Sequence, residues 1–485
     1  MKKILNILLA FTLFIGTSCT YTFPEEEALT SGNANFTKVV AVGNSLTAGF
    51  MNGALYNDGQ NNSYASIIAT QMKEVGGGSF NQPDINAEFG DYGSSNGVYG
   101  RLHLVIPPGG SLSDAVPMPY VPGNAITAYS GDKSALNNFG VPGMRIVDAG
   151  VSGYGSLNPY FGRFESAANA SVLGDAAAAN GSFVIFWLGS NDVLGYAING
   201  ATGNTEGDGT NPGDMTQKSI FEAAYSGAIT TLFANGQKGI VANIPNVQDI
   251  PYFTTVTWDA IVLDNPDQIA ALNNGYAAYN STLDALVDQG VNDPNQFPGF
   301  TQEEANSRKI VFANGANGIV ILDETLTDLT VVDPSLVSMR MADSDDLITL
   351  VAGAVLPSGV GASSPLGDEY TLTHAEQETI ADRIAEFNAA IAAQVSASNG
   401  NIALLDINQA FSEFTFEGAV INGAAMDATI YPPYGAFSLD GIHPNARGSA
   451  YVAGLFIEKI NESFGSNIPG VNPNNYSGNE LPVPQ

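Results

Sequence analysis

The chain returns repeatedly to one pattern: a short apolar run that stops at a glycine or proline, followed by a segment with helical spacing. Residues 39–42 stop at Gly43, 183–188 at Gly189 and 239–244 at Pro245, and a further apolar run occupies 401–407. Runs this short, bounded by breakers, fit strands covered on both faces better than they fit helices. Helical spacing marks 64–72, 219–234, a stretch from Thr373 to about 395, and 446–464. Thr373 and Glu376 have the Thr-x-x-Glu spacing of a capping box, which opens the third of these. Strands alternating with helices predict an α/β fold with a mainly parallel sheet covered on both faces. Two stretches break the rhythm. Residues 51–136 are rich in Gly, Pro and Tyr, and 251–370 carry their own helix near 268–287 and a strand at 318–322. The helix holding Tyr279 and Asn280 ahead of 319–323 echoes the helix holding Phe387 and Asn388 ahead of 402–406. Any α/β chain produces such an echo, and it is read that way here.

The surface is acidic yet sparsely charged. There are 16 basic and 48 acidic residues, a net charge of −32, although charged residues are only 13% of the chain, against roughly 25% in an ordinary soluble domain. Such a field repels nucleic acid and anionic headgroups and tolerates neutral or cationic substrates. The N-terminus reads as a processing signal. Lys2 and Lys3 precede an apolar run, 4–15, that is too short to span a bilayer, and Gly16-Thr17-Ser18-Cys19 follows. Small residues before a cysteine, directly after an apolar core, resemble a bacterial lipobox. The resemblance implies removal of 1–18, a diacylglycerol on the Cys19 sulfur, and a lipid-anchored place in the cell envelope. Cys19 is the only cysteine, so no disulfide forms within the chain. Residues 20–35, with Pro24 and three successive glutamates, read as a flexible tether, and 466–485 as a C-terminal tail. No later stretch is long and apolar enough for a transmembrane helix.

Three histidines make the search for a general base short. His103 lies in an apolar run, 102–106, and is expected to pack there. His374 opens a helix, where the dipole disfavours positive charge, so a structural role is expected. His443 lies in Asp440-Gly441-Ile442-His443-Pro444-Asn445. A turn can bring the Asp440 carboxylate onto the ring Nδ1–H, fixing the tautomer and leaving Nε2 free as a base, while Pro444 stiffens the loop. Ser45 follows the first apolar run in Gly43-Asn44-Ser45-Leu46. A serine there is either a nucleophile at the sheet edge, with its own N–H beside it, or a plain helix cap. Asn138 to Gly143 reads as a tight turn that exposes the Gly143 amide, with Gly140 the lesser candidate. Gly189-Ser190-Asn191-Asp192 puts a side-chain amide at the same edge. The N–H groups of Ser45 and Gly143 and the Asn191 Nδ2 would supply the three donors that a tetrahedral oxyanion needs.

This ordered set resembles the SGNH hydrolases, the GDSL esterase/lipase family, and within them the large bacterial lipoproteins with long insertions. Gly43-Asn44-Ser45-Leu46, the turn at Gly143, Gly189-Ser190-Asn191-Asp192 and Asp440 to His443 match the family's four blocks in order. The resemblance implies a three-layer α/β/α sandwich of the SGNH, flavodoxin-like kind over 36–465, with insertions at about 51–136 and 251–370. It also implies an ester hydrolase with Ser45, Asp440 and His443 as catalytic residues and an oxyanion hole of Ser45, Gly143 and Asn191, needing no metal or cofactor. The implied substrates are small-molecule, lipid or acylated-glycan esters. Asn44 stands where the family usually has Asp. The competing class is a catalytically inert or glycan-binding surface lipoprotein on the same fold, whose hallmark would be a lost Ser, Asn or His. The loop 204–214, rich in Asn, Asp and Gly, lacks the EF-hand register and reads as a solvated loop.

Overall fold

The computed structural model describes residues 28–92, 99–288 and 300–485. The leader, Cys19 and residues 20–27 of the expected tether lie outside the described residues. Five strands form the central sheet: β1 (Val39–Gly43), β2 (Asn138–Gly140), β3 (Phe183–Trp187), β4 (Lys238–Ala242) and β5 (Ile402–Leu405). They are all parallel, in the order β5-β4-β3-β1-β2. Every residue of β1 and β3 is buried, which is why these strands read as unbroken apolar runs rather than alternating ones. The helices that matter here are α1 (Ser45–Ala48), α2 (Tyr64–Met72), α3 (Asn191–Ile198), α4 (Lys218–Leu232), α5 (Pro266–Asp288), α6 (His374–Ala397), α7 (Ile407–Glu417) and α8 (Ala446–Phe464).

Side chains alternate across a strand, so each strand feeds two cores. Val40, Val42, Val184, Phe186 and Val241 join Phe221 and Tyr225 of α4 and Phe387 of α6 on one face. Val39, Ala41, Ile185, Trp187 and Ile240 join Tyr64 of α2 and Phe456 of α8 on the other. The Phe221 and Phe387 rings stack 3.8 Å apart, and Tyr64 stacks on Phe456 at 5.0 Å. Burying each such ring is worth about 2–3 kcal/mol, so both layers of helices are held by the sheet they cover.

The strand order has a direct consequence for function. From β1 the chain crosses to β2 on one side and later to β3 on the other, so the order reverses between β1 and β3. In open α/β sheets the crevice beyond the carboxyl ends of the strands at such a reversal is where ligands sit. The residue after β1 and its flanking Asn44 is Ser45.

Several elements depart from the sequence reading. The run 401–407 is a strand only to Leu405, because the Asp406 side chain caps α7 by accepting the Gln409 N–H at 3.1 Å and Ile407 already lies in that helix. Asn138 to Gly140 is an edge strand leading into the expected turn, too short and too polar at Asn138 to announce itself. The segment near 318–322 joins no part of the central sheet. Its strand, Val320–Leu322, pairs antiparallel with Met339–Met341, and with Leu283 and Leu286 of α5 it belongs to a separate apolar core within 251–370. The two helix–strand units in the sequence echo thus serve different sheets. Residues 466–485 do not hang free: Val483–Pro484 pairs with Leu102–Ile106, and Glu480 bridges to Arg101 at 2.9 Å. Among the described residues no helix is long and apolar enough to cross a membrane.

Candidate active site

The turn that carries Ser45 is fixed by its packing. A Cβ on Gly43 would stand 2.0 Å from Thr47 Oγ1 and 2.5 Å from the Trp187 carbonyl, so glycine is required here by the close approach of α1 and β3. The Asn44 Oδ1 accepts the Leu46 N–H at 3.0 Å and caps α1. This is the bond an aspartate would make in the same place, without the charge. Thr47 Oγ1 lies 2.7 Å from the buried Tyr64 hydroxyl on α2, and Asn138 Nδ2 donates to the Thr47 carbonyl at 2.9 Å. Strand, helix and edge strand together leave Ser45 one position, at 7% exposure.

His443 sits on a loop. Asp440 Oδ1 accepts the backbone N–H groups of Ile442 and His443, both at 2.9 Å, which folds the loop back on itself. Its Oδ2 then meets His443 Nδ1 at 3.0 Å, and His443 Nε2 lies 2.8 Å from Ser45 Oγ. Burial pushes the Asp440 carboxyl up, but the adjacent His443 and the N–H donors outweigh it and hold the group down at about 2. An ionised carboxylate only accepts, so Nδ1 carries a proton, and in the neutral ring Nε2 then accepts from the Ser45 hydroxyl. The Phe50 ring lies 5.0 Å from the imidazole.

Two residues that the sequence reading passed over hold this loop in place. The Asn52 N–H donates to Ser438 Oγ, Asn52 Oδ1 accepts the Leu439 N–H, and the Gly53 N–H donates to Asp440 Oδ2, all at 2.9 Å. Asn52 and Gly53 have φ of +54° and +72° between Met51 and Ala54, which exchange backbone hydrogen bonds at 3.1 Å. This is a two-residue hairpin turn with both central residues left-handed, for which Asn-Gly is the favoured pair. That pair was the available signal. It marked a turn but not what the turn would grip.

The expected oxyanion donors gather at the same edge. Asn191 opens α3, and its Nδ2 donates to the Met144 carbonyl at 3.0 Å, which ties it to the residue after Gly143 and leaves its second N–H. Gly143 is exposed in the turn beyond β2. The Gly140 N–H is already given to Asn138 Oδ1 at 2.9 Å, which removes it as a donor. Among the described residues no acceptor meets the N–H of Ser45 or of Gly143. Asp192 is buried and accepts from the Ile146 N–H at 2.7 Å and Thr216 Oγ1 at 2.9 Å, fixing the start of α3; burial pushes its carboxyl up to about 7. Ser190 is buried, and its hydroxyl has no partner among the described residues. Asn44, Ser45, Ser190, Asn191 and His443 open onto one small pocket of about 50 Å³. Larger hollows of about 410 and 360 Å³ are lined by none of these residues.

The remaining candidates stay apart from this site. His103 packs in its strand with Nδ1 3.1 Å from the Arg101 carbonyl, and burial together with Arg101 lowers its pKa. His374 is exposed beside Glu378, at the start of the helix whose capping box is formed by Thr373 and Glu376. In the loop 204–214, Asp214 Oδ1 accepts from the Asn204 N–H and Asn211 Nδ2, both at 2.9 Å, so that carboxylate is spent on its own loop. Glu324, Asp368 and Glu376 bring carboxylate oxygens within 4.8 Å of one another. Burial raises Glu376 to about 8 and Asp368 to about 6, and no residue of the Ser45 relay takes part. No protein-family model matches the chain, and no curated protein matches it.

Proposed function

We propose that the chain is a serine ester hydrolase of the SGNH type, acting through an acyl-enzyme. The observation that carries this reading is the continuous relay from Asp440 through His443 to Ser45, at 3.0 and 2.8 Å, beside unclaimed N–H groups at the order reversal of a parallel sheet. Ser45 Oγ attacks the ester carbonyl carbon while Nε2 of His443 takes its proton. Asp440 keeps the ring oriented and offsets the imidazolium charge. The negative charge on the carbonyl oxygen falls to the Ser45 and Gly143 N–H groups and the free Asn191 N–H. His443 returns the proton to the alcohol oxygen as the C–O bond breaks. A water then attacks the acyl-enzyme with His443 as base, and the acid leaves.

In this reading the sheet and its two helix layers are the three-layer sandwich of that family. The segments 51–136 and 251–370 are insertions that wall the cleft, and Cys19 carries a lipid that holds the enzyme at the cell envelope. Asn44 is compatible with activity because its role is the cap on α1, which an amide oxygen fulfils. The test is labelling of the full chain with a fluorophosphonate probe, followed by peptide mapping. The expected result is one labelled residue, Ser45, with labelling abolished in Ser45→Ala and in His443→Ala. An unlabelled chain, or label on a serine elsewhere, overturns the proposal.

A further inference from the structure

The pocket beside Ser45 is apolar beyond its catalytic rim. Its walls are Leu46, Leu194, Pro245, Val247, Ile250 and Ile442, and its volume is about 50 Å³. By the measure in which one water occupies roughly 10–15 Å³, that space seats about three to five groups the size of a methylene. The pocket adjoins the oxyanion donors: Leu194 lies three residues after Asn191, one turn along the same face of α3. The pocket therefore lies within reach of a substituent on the carbonyl carbon. The alcohol oxygen must reach His443 Nε2, at the pocket's rim, on a ring flanked by Phe50.

The back wall is braced. The Ile244 N–H donates to Asn388 Oδ1 at 2.8 Å, and the Ile244 carbonyl accepts from Asn388 Nδ2 and Asn408 Nδ2, both at 2.9 Å. Asn246 Nδ2 donates to Asp249 Oδ1 at 2.8 Å, and Gln248 Nε2 donates to the Gln377 carbonyl at 2.7 Å. Val247 and Ile250, carried by this segment, are themselves buried. A wall tied at this many points to α6 and α7 does not retreat for a longer chain, because repacking a filled interior is costly.

We infer that this pocket is the acyl site and that it limits the enzyme to short acyl groups of up to about six carbons, the carbonyl carbon and those that the pocket seats. The inference rests on the ester-hydrolase reading above and specifies its substrate class. The test measures kcat/KM of the full chain on two ester series. In one the acyl group lengthens from acetyl to decanoyl with a fixed alcohol; in the other acetyl is fixed and the alkyl alcohol lengthens. The expected result is a maximum between butyryl and hexanoyl and a fall of at least about tenfold by octanoyl, with little dependence on the alcohol. Val247→Ala and Leu194→Ala, made separately, should each raise octanoyl relative to acetyl by about tenfold. A flat or rising acyl profile overturns the inference, and so does a length limit that appears in the alcohol series alone. Absence of hydrolysis across both series, with Ser45 unlabelled by fluorophosphonate, would count against the ester-hydrolase reading itself.

Discussion

The two ends of the relay are held in different ways. Ser45 stands at the end of a fully buried strand, in a turn locked by Thr47, Tyr64 and Asn138, all within the layered core. His443 stands on a loop, and the turn at Asn52 and Gly53 clasps that loop from a segment outside the strand–helix rhythm. Ser45 is therefore positioned by the sheet, as a by-product of forming the core. His443 is positioned by hydrogen bonds to its loop from Asn52, Gly53 and Tyr252, with Leu439 of that loop packed in the core. Damage near Ser45 should cost chemistry or the fold, whereas damage at the clasp should cost alignment.

Substitutions can break this contrast, beginning with the largest effect. Ser45→Ala should reduce ester turnover by roughly 10⁶-fold with circular dichroism unchanged, because the β-strand and α1 do not depend on the hydroxyl. Asp440→Asn should lower kcat by about 10⁴-fold, since an amide facing Nδ1 favours the wrong tautomer. A variant within tenfold of wild type would remove Asp440 from the relay. Asn191→Ala should cost on the order of 10²–10³ in kcat with KM little changed, and unchanged turnover would remove it from the oxyanion hole. Asn52→Ala is the sharpest test of the clasp. It should lower kcat by about 10–100-fold and lower the melting temperature, with fluorophosphonate labelling slowed but not lost. If kcat is unaffected, the loop holds itself and the contrast between the two ends fails.

The smallest effect is one of pH. The Asp440 carboxyl is held near 2, below its ordinary 3.8, so the unfolded chain binds its proton first as pH falls. Its contribution to stability is complete above about pH 4 and gone below about pH 2, and over that window it amounts to about 2 kcal/mol. Thermal melts of wild type and Asp440→Asn should therefore converge as pH falls through that range. A gap that persists unchanged below about pH 2 would mean that the carboxylate's charge is not what stabilises the loop.

Some of this site could be read in the sequence because its signals are local. Gly43 to Leu46 sits directly after an apolar run, and Asp440 precedes His443 by three residues, a spacing that one turn converts into contact. The long helices were legible for the same reason: α2 and α8 have the bounds their spacing predicts, and Thr373 and Glu376 form the capping box. What escaped notice was short or distant. β2 has three residues, and two of them are Asn and Gly. β5 ends early because one aspartate prefers to cap a helix. The Gly53 bond to Asp440 spans 387 positions, and no periodicity reports on a pairing at that range. The choice of Gly143 over Gly140 became physical only when the Gly140 N–H proved to be spent on Asn138.

The Asn52-Gly53 pair also bears on how the molecule ages. An asparagine followed by glycine is the dipeptide most open to deamidation, because the unhindered glycine nitrogen can attack the side-chain amide and close a succinimide ring. Here that nitrogen is engaged by Asp440 Oδ2, and the Asn52 amide is engaged at both ends, by Leu439 and Tyr56. The carboxylate that orients the imidazole thereby also shields the bond that holds it. Folded protein should keep Asn52 intact on storage, while protein stored unfolded should accumulate isoaspartate at this position and refold with a misaligned base.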